Sequence, residues 1–513
     1  MNQKAQITQP LTQQSSQESP QPPRKPQLPP IPKENKFKQA LSLGIGIWDY
    51  FDEKQKELGD TYTLTFPGQG PMVWTSDPKM IQDILKLQRH QIDGSLVQLP
   101  FDLGESNLVF SNNKDHENAR KLIIPQFAGN VLKKRADMMA RITNEHINSW
   151  KVGDTFDAPR LIGDITMDIT CATLFDLHSG ERKDRYKELM LAWILEANSD
   201  INFTLASIVG ATRFRKFLNK QYMKRSLLGK MGNGKKGIFP WKRGVDLKVQ
   251  LATLLREDIR DIRERNDETE SHTLSFLART RDPDGKLLDE EKVISEVYGL
   301  MIGGHETSAA TTAWLMIWLQ QKPEVYKKIR DEVVTFIQKE GKHDPLMTSE
   351  LPYVTACLNE SQRITPSAPG FIRWLREDTQ IGDWLIPGGT AVLPNIYSTH
   401  RRKDIYGEDA LEFNPDRWIT KTGGQKSFRP NQFMPFGGGR RACVGMGQAK
   451  QQIRIIFSEF ARRVDFTSEF AGTTGMPKSR LIGGQVEPQE GVPVTVTAIR
   501  EEGYGRESSA SAA

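Results

Sequence analysis

Cysteine is scarce: Cys171, Cys357 and Cys443 are the only three among 513 residues. They are too few for a disulfide framework, so a reducing compartment is expected, with at most one thiol needed for chemistry. Long apolar runs are also lacking. The first, Leu41 to Trp48, falls far short of the roughly 18 residues that span a bilayer, so no transmembrane segment is expected. The first 32 residues lack the apolar core of a secretory signal and carry eight prolines among Gln and Ser, a composition that buries too little surface to fold alone. Residues 1–36 therefore read as a disordered leader, 37–501 as one folded domain, and 502–513, rich in Gly, Ser and Ala, as a flexible tail. A cytoplasmic location is expected. A nucleotide-binding GxGxxG pattern is missing too, and the net charge of +6 is small for this length.

Hydrophobic residues make up 37% and charged residues 26% of the chain, the balance of a globular protein with a sizeable core. Apolar positions recur at helical spacing over residues 78–90, 114–150, 161–175, 246–266, 289–320, 323–340 and 351–364. Short β-rich runs bounded by Gly and Pro fall at 61–66, 71–74, 379–386, 390–394 and 492–499. Helix dominates the first three quarters. Residues 213–244 hold eleven Lys or Arg and no acid, interleaved with Phe214, Phe217, Tyr222, Phe239 and Trp241. That segment suits a solvated connection between helices or peripheral contact with anionic lipid. Nothing else supports a nucleic-acid partner, and none is expected.

The most informative string is Phe436-Gly437-Gly438-Gly439-Arg440-Arg441-Ala442-Cys443-Val444-Gly445, followed by a helical run from Met446 to Phe460. Glycines let backbone N–H groups approach a thiolate without Cβ clashes, and the helix N-terminus behind them adds positive potential. A second string, Gly303-Gly304-His305-Glu306-Thr307-Ser308, interrupts a long apolar helix from Glu291 to Gln321. Two interior glycines cost about 1 kcal/mol each. A local widening is one explanation, since Thr307 can bond the carbonyl of Gly303 four residues back; close helix packing is the other.

The loop matches FxxGxRxCxG at every fixed position, and the chain resembles the cytochrome P450 superfamily, in particular its soluble bacterial members of the cyanobacterial type. The resemblance spans about Phe37 to Glu501 and implies a predominantly α (α+β) fold with a small β-sheet region. It implies haem b as cofactor, with Cys443 as the axial iron ligand and Phe436, Gly439, Arg441 and Gly445 as fixed positions of the haem loop. A thiolate ligand donates electron density that favours O–O cleavage. Glu306 and Thr307 then stand where the family carries an acid and a hydroxyl for proton delivery, and His305 is a packing or surface residue. His116, Arg120, Arg373 and Arg441 become candidates for the haem propionates. Glu360, Arg363 and Arg417 become a buried structural triad. Departures are His116 where many members carry Trp, and Glu306 and Ser308 where many carry Asp and Thr; each keeps the chemical type.

The implied activity is monooxygenation of a hydrophobic substrate such as a fatty acid, a terpenoid or an aromatic natural product. Oxidative coupling, desaturation or isomerisation, or a non-catalytic haem-thiolate sensor, are the alternatives. Apolar residues expected around the substrate are Leu96, Val97, Leu99, Phe101, Leu103, Leu108 to Phe110, Trp193, Ile194, Phe203 and Pro366 to Phe371. Electrons are expected from a separate ferredoxin or flavodoxin with its NAD(P)H reductase, docking on Lys121, Lys133, Lys134, Arg440, Lys450 and Arg454.

Overall fold

Asp289 starts the helix on which the rest is organised: its carboxylate accepts from the Glu291 N–H at 2.9 Å, and the helix runs from Glu290 to Gln321, stopping where Lys322-Pro323 begins the next. At 1.5 Å per residue it is about 48 Å long. The computed structural model describes residues 25–501 except 98, 100, 230–231, 233–238, 266–271, 283, 342–343, 483 and 489–490.

The helices that position the site are α1 (Asn113–Ile123), α2 (Gly129–Asn148), α3 (Ala158–Phe175), α4 (Glu181–Ala197), α5 (Asp200–Val209), α6 (Ala211–Leu227), α7 (Pro240–Arg265), α8 (Glu290–Gln321), α9 (Pro323–Glu340), α10 (Pro352–Ile364) and α11 (Met446–Arg463). One apolar cluster joins α2, α3, α8, α9, α10 and α11 through residues such as Ile142, Ile162, Trp314, Ile329, Leu358 and Phe460. A second joins α4, α6 and α7 to the first half of α8 through Trp193, Phe214, Leu255, Val297 and Met301. Both clusters pack on α8, which is buried along most of its length and meets its neighbours through apolar side chains, with polar ones such as Glu296 and Glu306 between them.

A four-stranded sheet flanks the helices in the order β1 (Thr61–Leu64), β2 (Met72–Thr75), β4 (Ala391–Pro394), β3 (Arg373–Trp374). β2 runs parallel to β4, pairing Met72 with Ala391, and β3 antiparallel to it, pairing Arg373 with Val392. A hairpin of β5 (Ser479–Ile482) and β6 (Gln485–Pro488) lies against α8. A further sheet pairs Thr155–Asp157 and Val464–Ser468 with Pro493–Ile499. No helix among the described residues is long and apolar enough to cross a membrane.

Several expectations change. The helix expected over 114–150 is two, because Pro125 lacks an N–H and Ile124–Phe127 form a 3-10 turn between α1 and α2. Much of the basic segment is helix α6 rather than connection: Phe214, Arg215, Leu218 and Tyr222 are buried, while Phe217, Leu227, Leu228 and Phe239 are exposed. Its residues 230–231 and 233–238 lie outside the described residues, as do 1–24 and 502–513. The leader assigned to 1–36 is not free throughout. Gln27 N–H donates to Leu385 O at 3.0 Å, while Pro30 O accepts from Thr63 N–H at 2.8 Å and Pro29 O from the Thr63 hydroxyl at 2.9 Å. Proline cannot donate to a sheet edge, but its carbonyl can accept from one.

Candidate functional site

The cysteine loop is closed by its own backbone. Gly437 N–H donates to Met434 O at 3.0 Å, Ala442 N–H to Gly439 O at 3.2 Å, and Cys443 N–H to Phe436 O at 3.0 Å. Gly437 and Gly439 have φ of 67° and 65°, the region that favours glycine, and a Cβ on Gly438 or Gly439 would run into Leu85. Phe436 is half-buried with the Lys450 ammonium 5.4 Å from its ring. Gly445 precedes α11, whose Gly447 leaves room for Leu132 and Phe127 of the neighbouring segment.

The sulfur of Cys443 opens onto a cavity of about 380 Å³. Ala442, Cys443 and Val444 form one wall, Gly299, Leu300 and Gly303 of α8 the opposite one, and Val97, Leu108, Val109, Ile123, Phe371 and Ile372 fill in between. Burial pushes the Cys443 thiol above its ordinary pKa; the N–H groups of Gly445 and Met446 and the Arg120 guanidinium pull it down without outweighing that burial. The expected lowering by the glycine loop is thus present but is not the largest effect.

At the cavity edge stand His116, Arg120, Arg373 and Arg441. Their guanidiniums are spent on backbone carbonyls: Arg120 on Ala442 O at 2.7 Å, Arg373 on Gly438 O at 3.1 Å and Ile372 O at 2.9 Å, Arg441 on Ser111 O at 2.6 Å. Burial, then mutual repulsion, lowers Arg373 to about 9, and burial, partly offset by Asp93, lowers Arg441 to about 10. Burial and the surrounding arginines hold His116 neutral, down to about 3. His116 Nδ1 and Arg441 Nε are buried without a hydrogen-bond partner among the described residues. Converging cations with orphaned donors fit a bound group that carries carboxylates on its rim, with an apolar face between Cys443 and Gly303. Haem has that shape and charge.

What keeps the Val97–Ser111 segment beside the cavity was not foreseen. Asn107 Nδ2 donates to Ser295 O at 2.6 Å, Leu108 N–H donates to the Glu296 carboxylate at 3.1 Å, and the Lys292 ammonium reaches Ser106 O while pairing with Glu296 at 2.6 Å. Gly299 is required there, since a Cβ would meet Asn107 Nδ2 at 2.7 Å. The i, i+4 pair Lys292/Glu296 was the only sequence signal. Of the expected lining, Val97, Leu108, Val109 and Phe371 face the cavity, whereas Phe101, Leu103, Phe110, Trp193 and Ile194 are core. Leu96 and Leu99 pack against apolar clusters, and the side chain of Phe203 lies outside the described residues.

On α8 the Thr307 hydroxyl donates to Gly303 O at 2.8 Å, as expected, and the helix runs through the glycine pair from Glu290 to Gln321. The two glycines divide the alternatives. Gly303 opens onto the cavity, and Gly304 packs on Thr170, whose hydroxyl would lie 3.6 Å from an added Cβ. His305 is buried against Thr166 at 3.0 Å and held neutral by that burial, with a pKa of about 4. Glu306 turns away from the cavity lining. Its carboxylate accepts from Asn198 Nδ2 at 2.8 Å and Gln485 Nε2 at 3.3 Å, and burial pushes it up to about 7.

Glu360, Arg363 and Arg417 meet below the loop. The Glu360 carboxylate receives Arg363 Nε and Nη2 at 2.8 Å each, Arg417 Nε at 2.9 Å, Trp418 Nε1 at 2.8 Å and Asn414 N–H at 2.8 Å. Arg363 also holds His400 O at 2.7 Å, and His400 Nε2 accepts from Met434 N–H at 3.1 Å at the start of the cysteine loop.

Of the basic candidates for partner docking, Lys121, Lys133, Lys134 and Arg440 are exposed. Lys450 and Arg454 are half-buried, and burial lowers the pKa of both.

The family model described as Cytochrome P450 matches residues 26–480. Among curated relatives, cytochrome P450 135B1 of Mycobacterium tuberculosis is 25% identical over 87% of this chain and 86% of its own. The cytochrome P450 monooxygenase FPY7 of Fusarium mangiferae is 28% identical over 80% and 76%, and the taxoid 7-beta-hydroxylase of Taxus cuspidata 25% identical over 88% and 84%.

Proposed function

The chain belongs to the cytochrome P450 family and is a haem-thiolate monooxygenase; from that premise we propose that it hydroxylates an apolar organic molecule held between Gly303 and the Val97–Val109 segment, with Cys443 as the iron ligand. The family implies a redox partner and a hydrophobic substrate. The observation that carries the reading is the cavity itself, which has the Cys443 sulfur on one wall and a bare glycine, Gly303, on the other.

Haem, once bound, supplies the activation of dioxygen. Arg120, Arg373, Arg441 and His116 would hold its propionates. Cys443 would hold the iron as thiolate, because coordination removes the proton that burial otherwise retains. Val97, Leu108, Val109 and Phe371 would exclude water from the substrate side. Thr307 would hold a water with its hydroxyl, and Glu306, pushed up to about 7, would pass protons near neutral pH. A fatty acid, a terpenoid or an aromatic natural product suits such a wall, and the relative named as a hydroxylase supports hydroxylation. A ferredoxin or flavodoxin with its NAD(P)H reductase would suit the exposed Lys133, Lys134 and Arg440. The test is a spectral binding screen of apolar molecules, followed by NADPH-driven turnover of the hits. Turnover to a hydroxylated product is expected, and binding without any NADPH-dependent product would overturn the reading in favour of a sensor.

Thr307→Val removes the hydroxyl and keeps the shape. Substrate affinity should be unchanged, while product formed per NADPH consumed should fall roughly a hundredfold, the usual worth of proton-transfer assistance. Measuring NADPH, peroxide and product together checks this, and unchanged coupling would confine Thr307 to its helix.

Residues 213–244 are proposed to touch anionic lipid peripherally. Phe217, Leu227, Leu228 and Phe239 are exposed beside Arg213, Lys216, Lys220 and Lys224. Each basic residue near an anionic surface contributes about 1 kcal/mol. Salt-sensitive sedimentation with phosphatidylserine vesicles, and none with phosphatidylcholine, is expected; equal recovery with both would remove the proposal.

A further inference from the structure

The loop of residues 95–110 lines the cavity with both of its arms, Val97 on the first and Leu108 and Val109 on the second. The bonds to α8 fasten the second arm, at Ser106, Asn107 and Leu108, and none of them reaches Val97. The first arm is fastened by a side chain of α6. Arg215 donates through Nη2 to Ser95 O at 2.7 Å and through Nη1 to Val97 O at 2.8 Å. The same guanidinium lies over the Phe110 ring, 3.8 Å from its centroid, at the far end of the loop. Arg215 and Phe110 are both buried. One planar group therefore touches both arms, its edge on two carbonyls of the first and its face on the aromatic ring that ends the second.

The surrounding basic stretch behaves differently. Arg213, Lys216 and Lys220 on the same helix are exposed, while Arg215 turns inward. Burying a guanidinium costs more than burying an apolar side chain of like size, so cohesion alone does not account for it. What a guanidinium adds is a rigid fork with a flat face. The fork fixes the spacing of Ser95 O and Val97 O, and the face fixes their distance from Phe110. The loop stays anchored without it, since Asp102 pairs with Lys248 of α7, both buried, and the α8 bonds remain.

We propose that Arg215 is a positioning residue for the substrate wall: by spanning the two arms of the loop it fixes the width of the cavity between Val97 and Val109, and so selects which apolar molecules fit. The inference rests on the reading of this cavity as the substrate site. It deepens that reading by assigning the selection to a side chain that stands behind the wall rather than in it.

The probes are imidazole and 4-phenylimidazole, titrated into the haem-loaded protein and read by the shift of the Soret band as an azole nitrogen binds the iron. Imidazole is too small to need the wall, whereas the phenyl ring must pack against it. Arg215→Met keeps an unbranched stem and removes the fork. It should weaken 4-phenylimidazole about tenfold, the cost of a misfit of methylene size, while imidazole affinity, haem content and the reduced carbon monoxide band stay as in the wild-type protein. Arg215→Lys keeps the charge without the fork or the flat face, so the preference for 4-phenylimidazole should fall in the same direction by less. That variant decides the matter if the methionine variant loads too little haem. A preference that stays the same or grows overturns the inference, and this includes both affinities falling together, the mark of a general loss of structure. Wild-type protein that binds 4-phenylimidazole no more tightly than imidazole would instead overturn the reading of the cavity as an apolar substrate site.

Discussion

Cys443→Ala is expected to abolish the red-shifted Soret band of the reduced carbon monoxide complex outright and to leave no product-forming activity. The reason is positional. Cys443 alone among the three thiols opens onto the cavity. Cys171 is buried in the cluster joining α3 to α4 and α7, where burial pushes its thiol up to about 12, and Cys357 is buried in the other cluster with its pKa raised well above the usual value for the same reason. Neither can reach the cavity or ionise where it sits. The reduced carbon monoxide spectrum of the variant decides this, and a band of unchanged position and height would mean that another residue ligates the iron.

Glu360→Gln should be the most damaging change to stability. It replaces one acceptor oxygen with a donor in a site where five donors already converge, and it removes the charge that compensates Arg363, which is fully buried. Breaking a buried pair from one side costs about 3–5 kcal/mol. Arg417→Leu should cost less than Glu360→Gln, since Arg363, Trp418 and Asn414 still satisfy the carboxylate, but it takes the ion-pair partner from Asp409, which Asn414 still holds, and the donor from the carbonyl of Tyr406. The effect should extend to cofactor retention, because Arg363 holds His400 and His400 holds Met434 at the start of the cysteine loop. Urea midpoints and haem content of the purified variants test both, and wild-type values in Glu360→Gln would show that the cluster is not what supports the loop.

The parts of the fold legible in sequence were those with a strong period or an unusual string. α8 is apolar over its length and its ends were read to within a residue, and FxxGxRxCxG located the loop that meets it across the cavity. Helices α4 and α5 went unread for different reasons: in α4 the stripe Tyr186, Leu189, Met190, Trp193 and Ile194 has helical spacing but is interleaved with charges, and α5 leaves Ile201, Ile208 and Val209 exposed. The β5–β6 hairpin was missed because its two strands, SRLI and QVEP, carry few apolar residues, Leu481, Ile482 and Val486, so no β-rich run stands out. The partners of Glu306 fell in those two unread regions. Residue type marked Glu306 as a candidate acid, but nothing local could say that an asparagine about a hundred residues earlier and a glutamine far downstream would hold it.

The strap of residues Gln27 to Pro30 alters what a boundary at Phe37 would mean. β1 is an outer strand of its sheet; Pro30 O accepts from the Thr63 N–H that a neighbouring chain's strand would otherwise take, and Pro29 O holds the Thr63 hydroxyl beside it. Because these prolines accept without donating, they finish the sheet and offer no template for its growth. A proline-rich tract that composition marks as spacer thus acts here as a selvedge. Trimming the chain to Phe37 would remove, along with that strap, Leu28 from its apolar cluster and the Glu34 carboxylate from the Tyr50 hydroxyl, and would change the protein's tendency to self-associate.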